Sequence, residues 1–144
     1  MGETLLPQRR GRGSPRYRSL AHKAKSPATY PVKFGPSGVV GGQIIGFVKD
    51  PLKTALMAEI LLEDKRVLLL LAPEGARVGD WIDFGDKTSI KPGNVLPLSQ
   101  IPEGTSVFNI EVAVGDGGKL VRSGGLSASV VSHERAREIG RAHV

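Results

Sequence analysis

The stretch richest in groups that could do chemistry is Gly115-Asp116-Gly117-Gly118-Lys119-Leu120-Val121-Arg122-Ser123-Gly124-Gly125, with five glycines in eleven residues. Glycine lets a backbone turn through positive φ and lie close to whatever it touches, and Lys119, Arg122 and Ser123 carry donors suited to phosphate oxygens. Three readings stand. One is a glycine-rich surface loop with two solvated cations. The second, a nucleotide-phosphate loop of the form G-x-x-x-x-G-K-[ST], fails twice, because Ala113 stands where the first glycine belongs and Leu120 where a Ser or Thr should hold Mg²⁺. The third is a loop that packs against a nucleic-acid backbone, which needs none of the missing parts.

A second candidate lies at the start of the chain. Residues 1–25 hold Arg9, Arg10, Arg12, Arg16, Arg18, Lys23 and Lys25 against Glu3 alone, while residues 26–144 carry 13 charges of each sign. The entire net charge of +6 therefore sits in this arm. Such a segment has too little apolar surface to fold alone, and its like charges repel, so it is expected to stay disordered until a polyanion neutralises it. Gly11, Gly13 and Pro15 break any helix, and Tyr17 between Arg16 and Arg18 offers a stacking face flanked by planar cations, a combination suited to RNA. A solubilising tail or a membrane-surface patch is the plainer reading. The apolar flank an anchor needs is missing, since Leu5 and Leu6 stand almost alone.

Enzymatic chemistry finds little support. The three histidines, His22, His133 and His143, show no metal-binding spacing, and there is no cysteine. Val121 occupies the first position of what would be a G-x-S-x-G elbow around Ser123. Asp80 and Asp83 fall on opposite faces if the segment is a strand. No cofactor and no metal are expected. The longest wholly apolar run, Val67 to Ala72, falls far short of the roughly 20 residues of a membrane span. The chain reads as a soluble, cytoplasmic protein with no membrane partner.

The elements that must position these groups are short strands between turns. Ser26 to Ser37 is a proline-punctuated connector. Val39-Val40 with Gln43 to Val48, then Ala55 to Leu62, Val67 to Ala72 and Trp81 to Phe84, read as strands closed by Asp50-Pro51, Glu63 to Arg66, Pro73-Glu74-Gly75 and Gly79-Asp80. The Ala, Leu, Met and Glu content of 55–72 suits helix as readily as strand. Trp81 is expected in the core. From Lys91-Pro92-Gly93 onward turns dominate, with Val107 to Val112 the clearest strand. Ile139 to Val144 is what a common sequencing adapter spells in one reading frame, so residues 135–144 are set aside as a non-native tail.

Several pieces occur together in one order: Pro92-Gly93-Asn94, Leu96-Pro97-Leu98, Ile101-Pro102-Glu103-Gly104-Thr105, Asn109-Ile110-Glu111, Gly115-Asp116-Gly117-Gly118-Lys119 and Arg122-Ser123-Gly124. This order resembles the universal ribosomal large-subunit protein two family. Arg10 to Pro15 with Ala21-His22-Lys23 is similar to its archaeal and eukaryotic branch. The resemblance tips 55–72 towards a hairpin and implies an all-β fold. That fold would have a basic extended arm and connector over 1–37, an OB-type small β-barrel over 38–90, and the opening of an SH3-like barrel over 91–134 that stops before the family's further strands and basic tail.

For function, the resemblance implies a non-catalytic, primary binder of large-subunit rRNA that supports subunit association, tRNA binding and the peptidyl-transferase region. Neighbouring ribosomal proteins would be partners, as would small-subunit rRNA at an intersubunit bridge. Gly117, Gly118, Lys119, Arg122 and Ser123 match the family motif and would join Arg9, Arg10, Arg12, Arg16, Tyr17, Arg18, Lys23 and Lys25 as RNA contacts, whereas Val121 departs from the usual alanine. The other reading is a stand-alone OB-type module for single-stranded nucleic acid, stacking bases on Phe47, Trp81 or Phe84.

Overall fold

The computed structural model describes residues 15–18, 20–30, 38–133 and 140–144. Arg9, Arg10, Arg12 and the expected disorder of the arm's first residues lie outside them. The architecture is all-β, with single 3-10 turns at Leu20–Lys23 and Leu98–Gln100. Its strands are β1 (Val39–Lys49), β2 (Leu56–Leu62), β3 (Val67–Leu71), β4 (Trp81–Gly85), β5 (Val95–Pro97), β6 (Ser106–Val107), β7 (Ala128–Ser129) and β8 (Arg141–His143).

One sheet runs in the order β3-β2-β1-β4-β5-β8 and curls into a half-barrel; β6 and β7 form a separate ribbon. The β1–β2 and β2–β3 ladders are antiparallel, and the register of β1 slips between Ile44 and Gly46, a bulge that bends the long strand. Alternation sends Ile44, Ile60, Leu70, Ile82 and Phe84 to the concave side, where with Val95 they form the main core. On the other side of the sheet Met57 and Leu71 pack against Ala28 and Phe108.

Leu56–Leu62 and Val67–Leu71 are strands despite their helical propensity, because ladder pairing, on both sides of β2 and on one side of the edge strand β3, together with burial of one face outweighs an intrinsic preference of a few tenths of a kcal/mol per residue, ~0–0.7. Beyond Lys91-Pro92-Gly93, β5 runs parallel to β4 through Phe84 and Val95, so the sheet continues across positions 90 and 91. Leu96, Ile101, Val107 and Ala142 make a smaller core there.

Three expectations differ from the structure. Arg141–His143, set aside on sequence grounds, forms β8: it pairs with Val95–Pro97, and Ala142 and His143 are fully buried. The strand expected over 107–112 is only Ser106–Val107. The chain turns through φ +49° at Asn109, and Ile110 makes a lone bridge to Leu120. Trp81 is 53% exposed rather than in the core, its ring lying across β1 at Gly41, where a Cβ would come within 2.6 Å of it.

The connector is tied to the sheet at Asp50. This buried carboxylate accepts from Lys53 Nζ and the Leu52 N–H, both at 2.8 Å, and from the Lys25 N–H at 3.1 Å. The Lys53 ammonium, with these N–H groups, holds the Asp50 carboxyl down to about 2. Lys53 Nζ also donates to the Ser26 carbonyl at 2.6 Å, so one cation joins the connector to the end of β1.

His143 stacks on Phe108 at 4.7 Å, and its Nδ1 lies 3.1 Å from the Gly93 carbonyl, which selects the tautomer donating from Nδ1 and leaves the buried Nε2 without a partner. Burial lowers its pKa from 6.5 to about 4. The unfolded chain therefore takes up the proton first. The stability tied to a neutral His143 is fully present above pH 6.5 and is lost as the pH falls through about 4. His143→Phe should flatten the stability profile across that window in urea unfolding at stepped pH; an unchanged slope would assign the titration to another group.

Core and surface aromatics should also separate. Phe84→Ala is expected to cost about 3–5 kcal/mol, whereas Trp81→Ala should cost no more than about 1 kcal/mol, both read by circular dichroism during urea unfolding. Equal losses would return Trp81 to the core.

Candidate nucleic-acid interface

The glycine-rich loop is closed at its base by the Ile110–Leu120 bridge and by the Asn109 N–H donating to the Val121 carbonyl at 2.9 Å. Within it, two carboxylates take the backbone donors. Glu111, buried, accepts from the N–H groups of Gly115 at 3.3 Å, Gly117 at 3.1 Å and Arg141 at 3.0 Å. Asp116 accepts from Val112, Ala113 and Gly118, each at 3.1 Å. Burial alone pushes the Asp116 carboxyl up, but those N–H groups and nearby Lys119 outweigh it and hold it below the usual carboxylate range. The amides that sequence reasoning offered to phosphate are thus saturated from within.

Gly117 and Gly118 are buried, and their glycine character serves packing. At Gly118, φ is +92° and a Cβ would sit 2.5 Å from Asn109 Oδ1. Gly117 lies against Thr29, and its carbonyl accepts from the Tyr30 N–H at 3.4 Å. The Tyr30 hydroxyl in turn donates to the Asn109 carbonyl, and its burial raises the phenol pKa.

Arg122 is spent on the protein itself. Its guanidinium donates to the Gly118 carbonyl at 3.1 Å, the Ala28 carbonyl at 3.2 Å and the Pro27 carbonyl. It staples the connector onto the loop rather than standing free for a phosphate. Beside it, Ala28, Asn109 and Val121 all have φ near +50°, a conformation costly for residues with a side chain, above all for β-branched Val121. Sequence reasoning missed Glu111 and Asp116 as the loop's organisers. The signal was present, since two acids at the neck and centre of a glycine run compete with any external anion for its amides.

The groups that do face solvent are Lys119, Ser123 and the described part of the arm. Lys119 Nζ lies 3.5 Å from Asp116, with its side chain 63% exposed. Arg16, Tyr17, Arg18, Lys23 and Lys25 are all exposed. Pro27 to Tyr30 is clamped by Arg122 and Gly117, and Lys25 and Ser26 are held by Asp50 and Lys53, so the basic segment joins the body between the glycine loop and the end of β1. The two sequence candidates therefore meet, with the loop serving as the arm's root. A cleft of about 690 Å³ opens beside it, between the strands at Leu56 and Leu71 and the segment from Val121 to Ser127.

Among the described residues no group of His, Cys, Asp or Glu side chains could hold a metal ion, and no helix is long and apolar enough to cross a membrane.

Comparison with known proteins gives a consistent picture. Residues 91–141 match the family described as Ribosomal Proteins L2, C-terminal domain. Large ribosomal subunit protein uL2 of Methanococcus maripaludis is 46% identical over 143 residues, covering 98% of this chain and 60% of the relative. The uL2 of Halorubrum lacusprofundi is 46% identical over 135 residues, covering 94% and 56%, and that of Methanothermobacter thermautotrophicus 43% identical over 141 residues, covering 96% and 58%. The chain spans about three-fifths of the length of these relatives.

Arg122 and Lys119 should separate in stability measurements. Arg122→Ala strands three carbonyls and should cost about 1–3 kcal/mol, whereas Lys119→Ala should change stability by no more than about 0.5 kcal/mol. Urea unfolding of both variants checks this, and a neutral Arg122→Ala would show that the staple contributes nothing.

Proposed function

The chain belongs to the ribosomal protein L2 family, on the side of its archaeal members, and from that premise we propose that it is a structural, non-catalytic constituent of the large ribosomal subunit that binds large-subunit rRNA. The observation that carries the mechanism is the junction of arm and loop. A neutral β body clamps the root of a segment that holds the chain's whole excess of positive charge.

The physical basis is counterion release. Each Arg or Lys that neutralises a phosphate frees condensed cations, and an extended arm can follow an irregular groove that a folded surface cannot. Arg9, Arg10, Arg12, Arg16, Arg18, Lys23 and Lys25 supply the charge, Tyr17 a stacking face, and Lys119 and Ser123 contacts at the point where the arm enters the RNA. Gly117, Gly118 and Arg122 hold that entry point in place. The same reading extends to support of subunit association, tRNA binding and the peptidyl-transferase region, to neighbouring ribosomal proteins and small-subunit rRNA at an intersubunit bridge as partners, and to the cytoplasmic ribosome as location.

The competing reading, a stand-alone module that stacks single-stranded bases, requires exposed aromatics on a cationic face. Phe84 is fully buried, Phe47 is half-buried, and the exposed Trp81 has Asp83 bonded to its ring nitrogen. These features favour the rRNA reading.

The test is binding of the full chain, and of a copy lacking residues 1–25, to a large-subunit rRNA fragment and to an unrelated structured RNA across a salt series. The full chain should prefer the rRNA, and loss of the arm should reduce the salt slope by about 0.7–0.9 per cation removed. Lys119→Ala should lower the slope by about one such step. Equal affinity for the two RNAs would overturn the proposal of specific rRNA recognition.

A further inference from the structure

The convex face of the half-barrel carries an uncovered apolar row. The register sets Trp81 of β4 opposite Gln43 of β1, Gln43 opposite Leu61 of β2, and Leu61 opposite Val67 of β3. All four point away from the main core, and Trp81, Leu61 and Val67 are 53%, 39% and 57% exposed. Where the same face continues to Met57 and Leu71, Ala28 and Phe108 cover it. Over Trp81, Leu61 and Val67 nothing among the described residues does.

The row is also held in place. Trp81 lies on Gly41, whose missing Cβ gives the ring its seat, and its Nε1–H donates to Asp83 Oδ1 at 2.8 Å. Gln43 Nε2 donates to the Gly79 carbonyl at 3.1 Å. An exposed indole fixed in one orientation is a preorganised binding surface, since no ordering cost remains on its side.

Its surroundings are acidic. Asp83 pairs with Gly41 in the ladder, and the Glu63 N–H donates to the Gly41 carbonyl, so both acids border the row on one side. Glu59, two residues from Leu61 on the same face of β2, borders it on the other, with its carboxylate near Gly46. The cations in the vicinity are Lys65 and Arg66 at the tip of the β2–β3 hairpin, where Arg66 is bonded to Asp64, and Arg77 in the loop before β4, which also carries Asp80.

We propose that this row is a docking surface for an extended, arginine- or lysine-rich segment of another protein. An arginine laid over the indole gains a cation–π contact, and its fork can reach Asp83 or Glu63, while the aliphatic stems of neighbouring cations cover Leu61 and Val67. The same acids disfavour a nucleic acid, whose phosphates would meet like charge; nucleic-acid surfaces carry the opposite sign. The surface lies on a different part of the fold from the arm and glycine loop, so the rRNA reading can fail without it and the reverse.

Trp81 is the chain's single tryptophan, so its fluorescence reports on this surface alone. The full chain should be titrated with a short peptide of alternating arginine and glycine and, separately, with oligouridylate. The peptide is expected to change Trp81 emission saturably. Glu59→Gln with Glu63→Gln should weaken binding about 5-fold, and Leu61→Ser with Val67→Ser should weaken it with no change in charge. Emission that responds to oligouridylate and not to the peptide would overturn the proposal in favour of base stacking. Emission that changes with protein concentration alone would overturn it in favour of the chain's own arm docking in a second copy, and no response to either probe would also overturn it.

Discussion

A carboxylate removed from water must replace the hydrogen bonds it gives up, and Glu111 does so with the backbone N–H groups of Gly115, Gly117 and Arg141. That arrangement fixes more than one side chain. It folds the glycine loop back over its own neck, brings the chain at Arg141 alongside the loop, and so sets where β8 can reach β5. Asp116 repeats the device at the far end of the loop with Val112, Ala113 and Gly118. Without the two acids, five glycines would be the most entropically costly stretch of the chain to order.

Arg122 depends on that geometry. Its guanidinium can reach Gly118, Ala28 and Pro27 together only because the loop presents the Gly118 carbonyl beside the connector. The three non-glycine residues near φ +50°, Ala28, Asn109 and Val121, sit on the three segments that meet there. Strain of order 1–3 kcal/mol per such residue persists only where the surroundings over-determine the backbone. A lysine could not replace this arginine, since a single ammonium lacks the planar spread of donors that three separate carbonyls require.

Much of the sheet was legible because its signals are local. Val39 to Lys49 and Trp81 to Gly85 are bounded by Asp50-Pro51 and Gly79-Asp80, punctuators that act within a few residues, whereas for Leu56 to Leu62 and Val67 to Leu71 the local signal gave only the charged turn at 63–66, and the resemblance decided between helix and strand. What was not legible depends on contacts across the chain. Trp81 looked like a core residue because nothing in its own neighbourhood reveals Gly41, forty residues earlier, as the seat for its ring. Val107 to Val112 looked like one strand because the turn at Asn109 is imposed by its hydrogen bond to Val121. The glycine loop stood out as a place of unusual backbone, but the bonding of the Gly115, Gly117 and Gly118 N–H groups to Glu111 and Asp116 depends on the folded loop and was not legible.

The division of charge follows from the same constraint. A loop whose amides already serve carboxylates presents no empty nest to a phosphate, and the carboxylates themselves repel one. The proposed anion contacts at this end of the molecule therefore fall to side chains that project past the loop, among them Lys119, whose charge Asp116 partly offsets. The chain's whole excess of positive charge lies in residues 1–25, where Glu3 is the one acid. Charge is in this way divided along the chain: residues 26–144 carry 13 charges of each sign, and the excess lies in residues 1–25, the segment to which the proposed RNA binding is assigned.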